Sequence, residues 1–367
     1  MYKKDQIAEN IIRERGSLTR FKKALRKGRV VMGFIGGSIT EAHREGNWPY
    51  FVARWFMRLY PNVEFVWENA AIGGTGSLSG LMRADRDLIA QHCDIVFMEY
   101  AVNDPCGEET FRTREGLVRR LLASGCDMTM VYVYCQGMYN DMVADRMPDS
   151  IVDLEKIADY YQIPSIWSGR HALNEQMAGR MTWEAWLPDG LHPEALGSSI
   201  YAEPVVAYLE KELESPDRVA IPTGDALPPS INPNHWGDIE EVPWSSIRFD
   251  GPWAEMRDVM LPWYRTSRRT SAVGAKLSFT FEGRALCAMF NYGKMMGKFL
   301  YRFDGGEERE YSGERAWWVP DKNYCRPISF GDDLGPGPHT FELTVVHGNA
   351  EECKGSNCWI YSIMAVK

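Results

Sequence analysis

From residue 29 to residue 214 the chain alternates short apolar runs with segments of helical period, and beyond residue 215 that alternation stops. Residues 29–35, 62–69, 94–100, 128–134 and the short 163–167 read as strands buried on both faces. Residues 48–59, 78–91, 109–124, 150–161 and 197–214 place apolar side chains at helical spacing between and after them. Strands of this kind joined by helices require a parallel sheet covered on both sides. Right-handed crossovers then predict a doubly wound, three-layer α/β/α fold of flavodoxin-like type.

A different pattern takes over from about residue 245. Residues 276–281, 285–290, 298–303, 339–346 and 358–366 are short alternating segments, separated by turn formers such as Asp304-Gly305-Gly306 and Gly335-Pro336-Gly337-Pro338. They predict an all-β sandwich or jelly roll. The organisation expected is an N-terminal helical segment at 1–28, an α/β domain at 29–214, a proline-rich linker or extended arm at 215–244, and a β domain at 245–367. Two short helices are expected within 5–27, and the basic run Arg20 to Gly28 reads as a solvated helix face.

Charge narrows the partners. A net charge of −9 over 367 residues argues against nucleic acid or an anionic membrane surface. The first ten residues lack the apolar core of a secretion signal, and no stretch approaches ~20 consecutive apolar residues. The expectation is a cytoplasmic protein. Eight cysteines without paired spacing predict mostly buried, reduced thiols, and neither a metal nor another cofactor is called for. A homo-oligomer remains open.

In open α/β sheets ligands bind beyond the C-terminal ends of the strands. Each polar motif of this chain falls at such an end. Gly36-Gly37-Ser38 follows the first strand, Gly73-Gly74-Thr75 the second and Asn103-Asp104 the third; Asp189-Gly190-Leu191-His192 precedes the last helix. A serine hydroxyl is a poor nucleophile unless a histidine takes its proton and a carboxylate holds that histidine in one tautomer. Asp189 and His192, three residues apart on a loop, suit the second and third roles, leaving Ser38 for the first. Asp104 and Trp186 are candidate substrate contacts, and Trp48, Trp183, Asn291, Tyr292, Trp317 and Trp318 are aromatic or polar groups that would suit a sugar cleft.

This ordered set resembles the SGNH (GDSL-like) hydrolase superfamily over residues 29–213. The resemblance implies Ser38 as nucleophile, Asp189 and His192 as its partners, and an oxyanion hole formed by the Ser38 N–H, the Gly74 N–H and the Asn103 side-chain amide. Two positions depart from the family pattern: Gly37 stands where aspartate is common, and Ala101 where glycine is usual. Family members joined to a β-sandwich often deacetylate carbohydrates, which implies a serine esterase acting on short acyl esters of a sugar or oligosaccharide. A lipase- or thioesterase-like hydrolase, an acyltransferase, and an inactive hydrolase that only binds carbohydrate are the alternatives.

Overall fold

The apolar run after Arg29 forms the central strand of a six-stranded sheet, buried from Val30 to Gly36. The computed structural model describes residues 7–41, 46–258, 263–317, 319, 323–331 and 333–367. His43 and Trp318 lie outside the described residues. In chain order the sheet strands are β1 (Ile12–Arg13), β2 (Arg29–Gly36), β3 (Glu64–Asn69), β4 (Ile95–Glu99), β5 (Asp127–Val131) and β6 (Ser165–Ile166). They lie side by side as β1-β6-β5-β4-β2-β3. All pairings among β2 to β6 are parallel.

The helices are α1 (Thr19–Arg26), α2 (Trp48–Leu59), α3 (Ser77–Ala84), α4 (Glu108–Ala123), α5 (Tyr139–Val143), α6 (Asp149–Tyr160), α7 (Ser168–Met177), α8 (Trp183–Trp186) and α9 (Ala195–Glu214). α2 and α7 pack on α9, and α3 and α6 pack on α4, giving the two helical layers of a doubly wound fold. Phe34 of β2 stacks on Phe97 of β4 with centroids 5.0 Å apart, and Trp48 of α2 meets Phe34 edge-on at 5.4 Å. Such pairs add ~0.5–1.5 kcal/mol each beyond the area they bury.

Three expectations change. The segment before α1 is a strand, not a helix: β1 pairs antiparallel with β6, so the sheet edge is mixed. The helix expected to reach residue 91 leaves α-geometry after Ala84 and continues as a π-turn over Asp85–Ile89. The basic run at 20–28 is not uniformly solvated. Lys22 is buried, with Nζ 3.0 Å from the equally buried Glu212 of α9. Glu212 also accepts from the Ser17 hydroxyl and from the Leu18 N–H. A cation needed inside the fold looks, in sequence, like its exposed neighbours.

The proline-rich stretch after α9 does not float. Buried Glu115 of α4 accepts the N–H groups of Ile231 and Asn232 at 2.6 and 2.8 Å, and Arg119 donates to the Pro228 carbonyl at 2.9 Å. The chain divides into two compact units, Met1–Gly237 and Asp238–Lys367.

The second unit is all-β. Its strands are β7 (Ile239–Glu241), β8 (Arg248–Asp250), β9 (Ala254–Arg257), β10 (Thr266–Thr270), β11 (Lys276–Glu282), β12 (Ala285–Tyr292), β13 (Lys298–Phe303), β14 (Arg309–Ser312), β15 (Tyr324–Gly331), β16 (Pro338–Val346) and β17 (Cys358–Val366). One sheet runs β15-β12-β17-β10-β9 with β7 beside β17, the other β14-β13-β16-β11-β8. Every pairing is antiparallel. Strict alternation on β11 turns Leu277, Phe279 and Phe281 inward against Phe341 and Leu343 of β16. The expected alternation fails on β12, which is buried along its whole length. Cys353 and Cys358 are not bridged; the Cys353 thiol donates to the Met296 carbonyl at 3.2 Å.

Removing Lys22 leaves the buried Glu212 with Arg218, 2.7 Å away, as its remaining cation. Lys22→Ala is therefore expected to lower unfolding free energy by about 1.5–3 kcal/mol, the scale of a hydrogen bond to a charged group, read from urea denaturation at neutral pH. Burial opposes the charged form of Glu212, but hydrogen bonds from Ser17, Lys22 and Leu18 hold it below the ordinary carboxylate range. A depressed carboxylate stabilises above its unfolded value, and that contribution disappears as pH falls through the folded value. The Lys22→Ala deficit should shrink in acid; a pH-independent deficit contradicts the assignment.

Candidate active site

At the end of β2 the chain turns sharply. The Thr40 N–H donates to the Gly37 carbonyl at 3.1 Å, which leaves Ser38 half-buried at the tip. Side chains from three directions fix this turn. The Asn47 amide donates to the carbonyls of Ser38 (3.3 Å) and Glu41 (2.6 Å), and Asn69, the last residue of β3, donates to the Thr40 carbonyl at 2.7 Å. Below it lies the wholly buried Glu99, the last residue of β4, whose Oε2 accepts the Thr40 hydroxyl at 3.0 Å. Burial pushes the Glu99 carboxyl up to about 7.

The loop after α8 supplies the histidine. Nε2 of His192 is 2.8 Å from the Ser38 Oγ, and Nδ1 is 2.8 Å from the Asp189 Oδ2. The other carboxylate oxygen accepts the backbone N–H groups of Leu191 and His192 at 2.8 and 2.6 Å. Partial burial raises the Asp189 pKa, but the hydrogen bonds from His192 and Leu191 outweigh it and hold the carboxyl below its ordinary value. An ionised Asp189 accepts from Nδ1–H, which leaves the Nε2 lone pair facing the serine proton. The loop can take this shape because residue 190 is glycine. Its φ is +78°, and a Cβ there would lie 2.3 Å from the Gln136 Oε1.

Asn103 lies against the same turn. A Cβ on Gly37 would sit 1.9 Å from its side-chain oxygen, so any larger residue at 37 must displace the amide. Aspartate, common at this position in the hydrolases the sequence resembles, could not stand here without displacing Asn103. Gly73 also approaches the serine, since a Cβ there would lie 3.3 Å from the Ser38 Cβ. Gly74, next along, has φ +67°, a left-handed conformation suited to glycine.

Two candidate substrate contacts are corrected. Asp104 is buried: one oxygen accepts the Ser77 N–H at 2.8 Å at the start of α3, the other accepts from Arg114 at 3.0 Å. It ties the loop after β4 to the loop after β3. Trp186 is fully buried with its indole N–H donating to the Tyr201 hydroxyl at 2.9 Å, so it offers no face to a ligand. Trp48 is likewise buried and donates to the Thr40 hydroxyl at 3.0 Å. In the second unit Asn291 and Tyr292 are buried, whereas Trp317 is 94% exposed.

Sequence reasoning overlooked Tyr139 and Gln136. The Gln136 N–H donates to the Gly190 carbonyl at 2.7 Å, which brings the start of α5 beside the histidine loop. Tyr139 then meets Trp183 edge-to-face at 5.6 Å, and both rings keep some exposed surface. Nothing in the local pattern at 136–143 marks those residues, because the contact spans more than forty positions. Glu99 did leave a signal, a carboxylate ending an otherwise apolar strand.

No protein-family model and no curated protein matches the sequence. Solved structures that match along the entire chain include two of one esterase. The crystal structure of a two-domain esterase active on acetylated mannans is 21% identical, covers 100% of this chain and 98% of its own, and has a TM-score of 0.82. The same esterase co-crystallised with mannopentaose aligns over the same spans at 21% identity and a TM-score of 0.81. This chain has the two-domain fold of those esterases. The α/β unit and the β unit both fall within that fold, as the patterns of residues 29–214 and 245–367 predicted.

Gly37→Ala is expected to push the Asn103 side chain away from the serine turn by at least an ångström or so, since heavy-atom contacts do not approach below about 3 Å. A crystal structure of the variant checks this; an unmoved Asn103 overturns the packing account.

Proposed function

We propose that the protein is a serine esterase that removes short acyl groups, acetyl in the first instance, from the hydroxyls of a carbohydrate. The observation that carries this reading is the unbroken hydrogen-bonded series from Ser38 through His192 to Asp189. In this mechanism the Nε2 of His192 takes the Ser38 proton as Oγ attacks the ester carbonyl. The imidazolium formed is stabilised by the ionised Asp189, then delivers its proton to the departing sugar oxygen. Water enters, gives a proton to Nε2 and attacks the acyl-serine; as the second tetrahedral intermediate collapses, Nε2 returns that proton to Oγ, which releases the acid and restores Ser38 and His192.

Negative charge on the carbonyl oxygen needs donors already in place. The Ser38 N–H, the Gly74 N–H and the Asn103 amide are assigned that role. The close packing of Gly37 on Asn103 and of Gly73 on Ser38 supports the assignment. Each such donor is worth ~10²–10³ in kcat where it has been removed in a serine hydrolase.

Support for a sugar ester comes from the esterase of the same fold, described as active on acetylated mannans. It also comes from the Tyr139–Trp183 pair beside the histidine loop, an amphipathic surface of the kind that packs on pyranose rings. A non-catalytic carbohydrate binder would have no need of a serine hydroxyl aligned on a histidine.

Hydrolysis of p-nitrophenyl acetate tests the chemistry: Ser38→Ala should lose about 10³-fold or more in kcat/KM, the scale seen when a triad member is removed. Equal turnover by both proteins sinks the esterase reading. For the substrate class, Trp183→Ala should raise KM on acetylated manno-oligosaccharides about tenfold, a loss of ~1.4 kcal/mol. Its turnover of p-nitrophenyl acetate should stay near wild type. A variant unchanged on both substrates removes Trp183 from the sugar site.

A further inference from the structure

The mechanism above has no use for Glu99, yet this carboxylate is wholly buried at the end of β4, directly opposite Gly36 in the parallel register. Burying a carboxylate is costly unless its hydrogen bonds are complete. Those of Glu99 are not: Oε2 accepts the Thr40 hydroxyl at 3.0 Å, and Oε1 has no hydrogen-bond partner among the described residues. A residue that costs the fold stability at this place calls for another reason.

The contacts supply one. Thr40 has a single hydroxyl proton, and its oxygen already accepts the Trp48 indole N–H at 3.0 Å. Its proton is therefore committed to Glu99, and the order Trp48 to Thr40 to Glu99 has only one direction. The backbone N–H groups of Gly37 and Ala101 make no hydrogen bond to Oε1, but they favour the charged form of the carboxylate. Gly36 admits it at close range, since a Cβ there would lie 3.1 Å from Glu99 Oε2 and 2.9 Å from Thr40 Oγ1. The turn carrying Ser38 is thus anchored from beneath through Thr40.

Resting on the esterase reading, we propose that Glu99 is a positioning residue: through Thr40 it holds the serine turn so that Ser38 Oγ meets His192. An acceptor facing the Thr40 proton is essential to this role. Glutamine can keep its carbonyl oxygen there with its NH₂ group at the place of the unpartnered Oε1, whereas methionine offers no acceptor at all. Threonine 40 must supply a hydroxyl, and serine can replace it where valine cannot.

The test uses the full chain and two readouts. One is the second-order rate at which a fluorophosphonate modifies Ser38, followed by mass spectrometry; the other is kcat and KM on p-nitrophenyl acetate. Glu99→Met and Thr40→Val should fall by about 10- to 100-fold in labelling rate and kcat, the scale of an ångström-level misplacement, with KM little changed. Glu99→Gln and Thr40→Ser should recover most of the wild-type rate. Should Glu99→Met fail to fold, the valine and serine variants at position 40 carry the test. Wild-type rates in Glu99→Met or Thr40→Val, or equal losses in Thr40→Val and Thr40→Ser, overturn the inference while leaving the esterase reading intact. A wild-type protein that is not labelled at Ser38 overturns the nucleophile assignment and, with it, the inference.

Discussion

A Cβ at Gly36 would lie 2.6 Å from the Glu99 carbonyl, and one at Gly37 would lie 1.9 Å from the Asn103 amide. Two adjacent missing side chains therefore let the end of β2 settle directly onto the end of β4. The serine side of the rim depends on that contact. It sets the height of the Ser38 turn, gives Asn103 its place beside the serine, and leaves room for the Glu99 carboxylate below. Interiors close-packed to this degree do not deform smoothly, so the turn is held in one conformation.

The histidine side is built differently. Asp189 and His192 lie on a partly exposed loop whose shape rests on a left-handed Gly190, backbone N–H groups donating to Asp189, and the link from Gln136 to Gly190. A rigid turn on a buried sheet meets a histidine on a loop held mostly by local hydrogen bonds. The series from serine to carboxylate is continuous across the two, with both separations at 2.8 Å. That continuity, more than any one residue, supports the esterase reading.

Much of this was legible in the chain itself. Period and strand character located β2 through β6 and most of the helices, because strands buried on both faces leave long apolar runs. The candidate residues Ser38, Gly74 and Asn103 were legible for a related reason: each follows a strand end, where a parallel sheet gathers its loops, whereas Asp189 and His192 follow α8 and were marked by their spacing. Short helices at 139–143, 168–177 and 183–186 were not, since elements of so few turns are selected by their packing and not by their own periodicity. Lys22 and Trp186 misled for opposite reasons. A lysine among lysines hides its buried partner Glu212, and a tryptophan close to a motif looks like a ligand platform until its burial is known.

By itself, then, the sequence determined the two-unit α/β and β plan, the identity of Ser38, Asp189 and His192 as candidates, and their position at one rim. Those properties follow from local pattern and from the rules by which parallel sheets connect. Only the tertiary structure decided that Asp104 braces the loops against Arg114, that Trp186 is closed to solvent, and that Glu99 stands beneath the serine turn. Each of those depends on which side chain occupies a particular few cubic ångströms among residues distant in sequence. No local pattern carries that information.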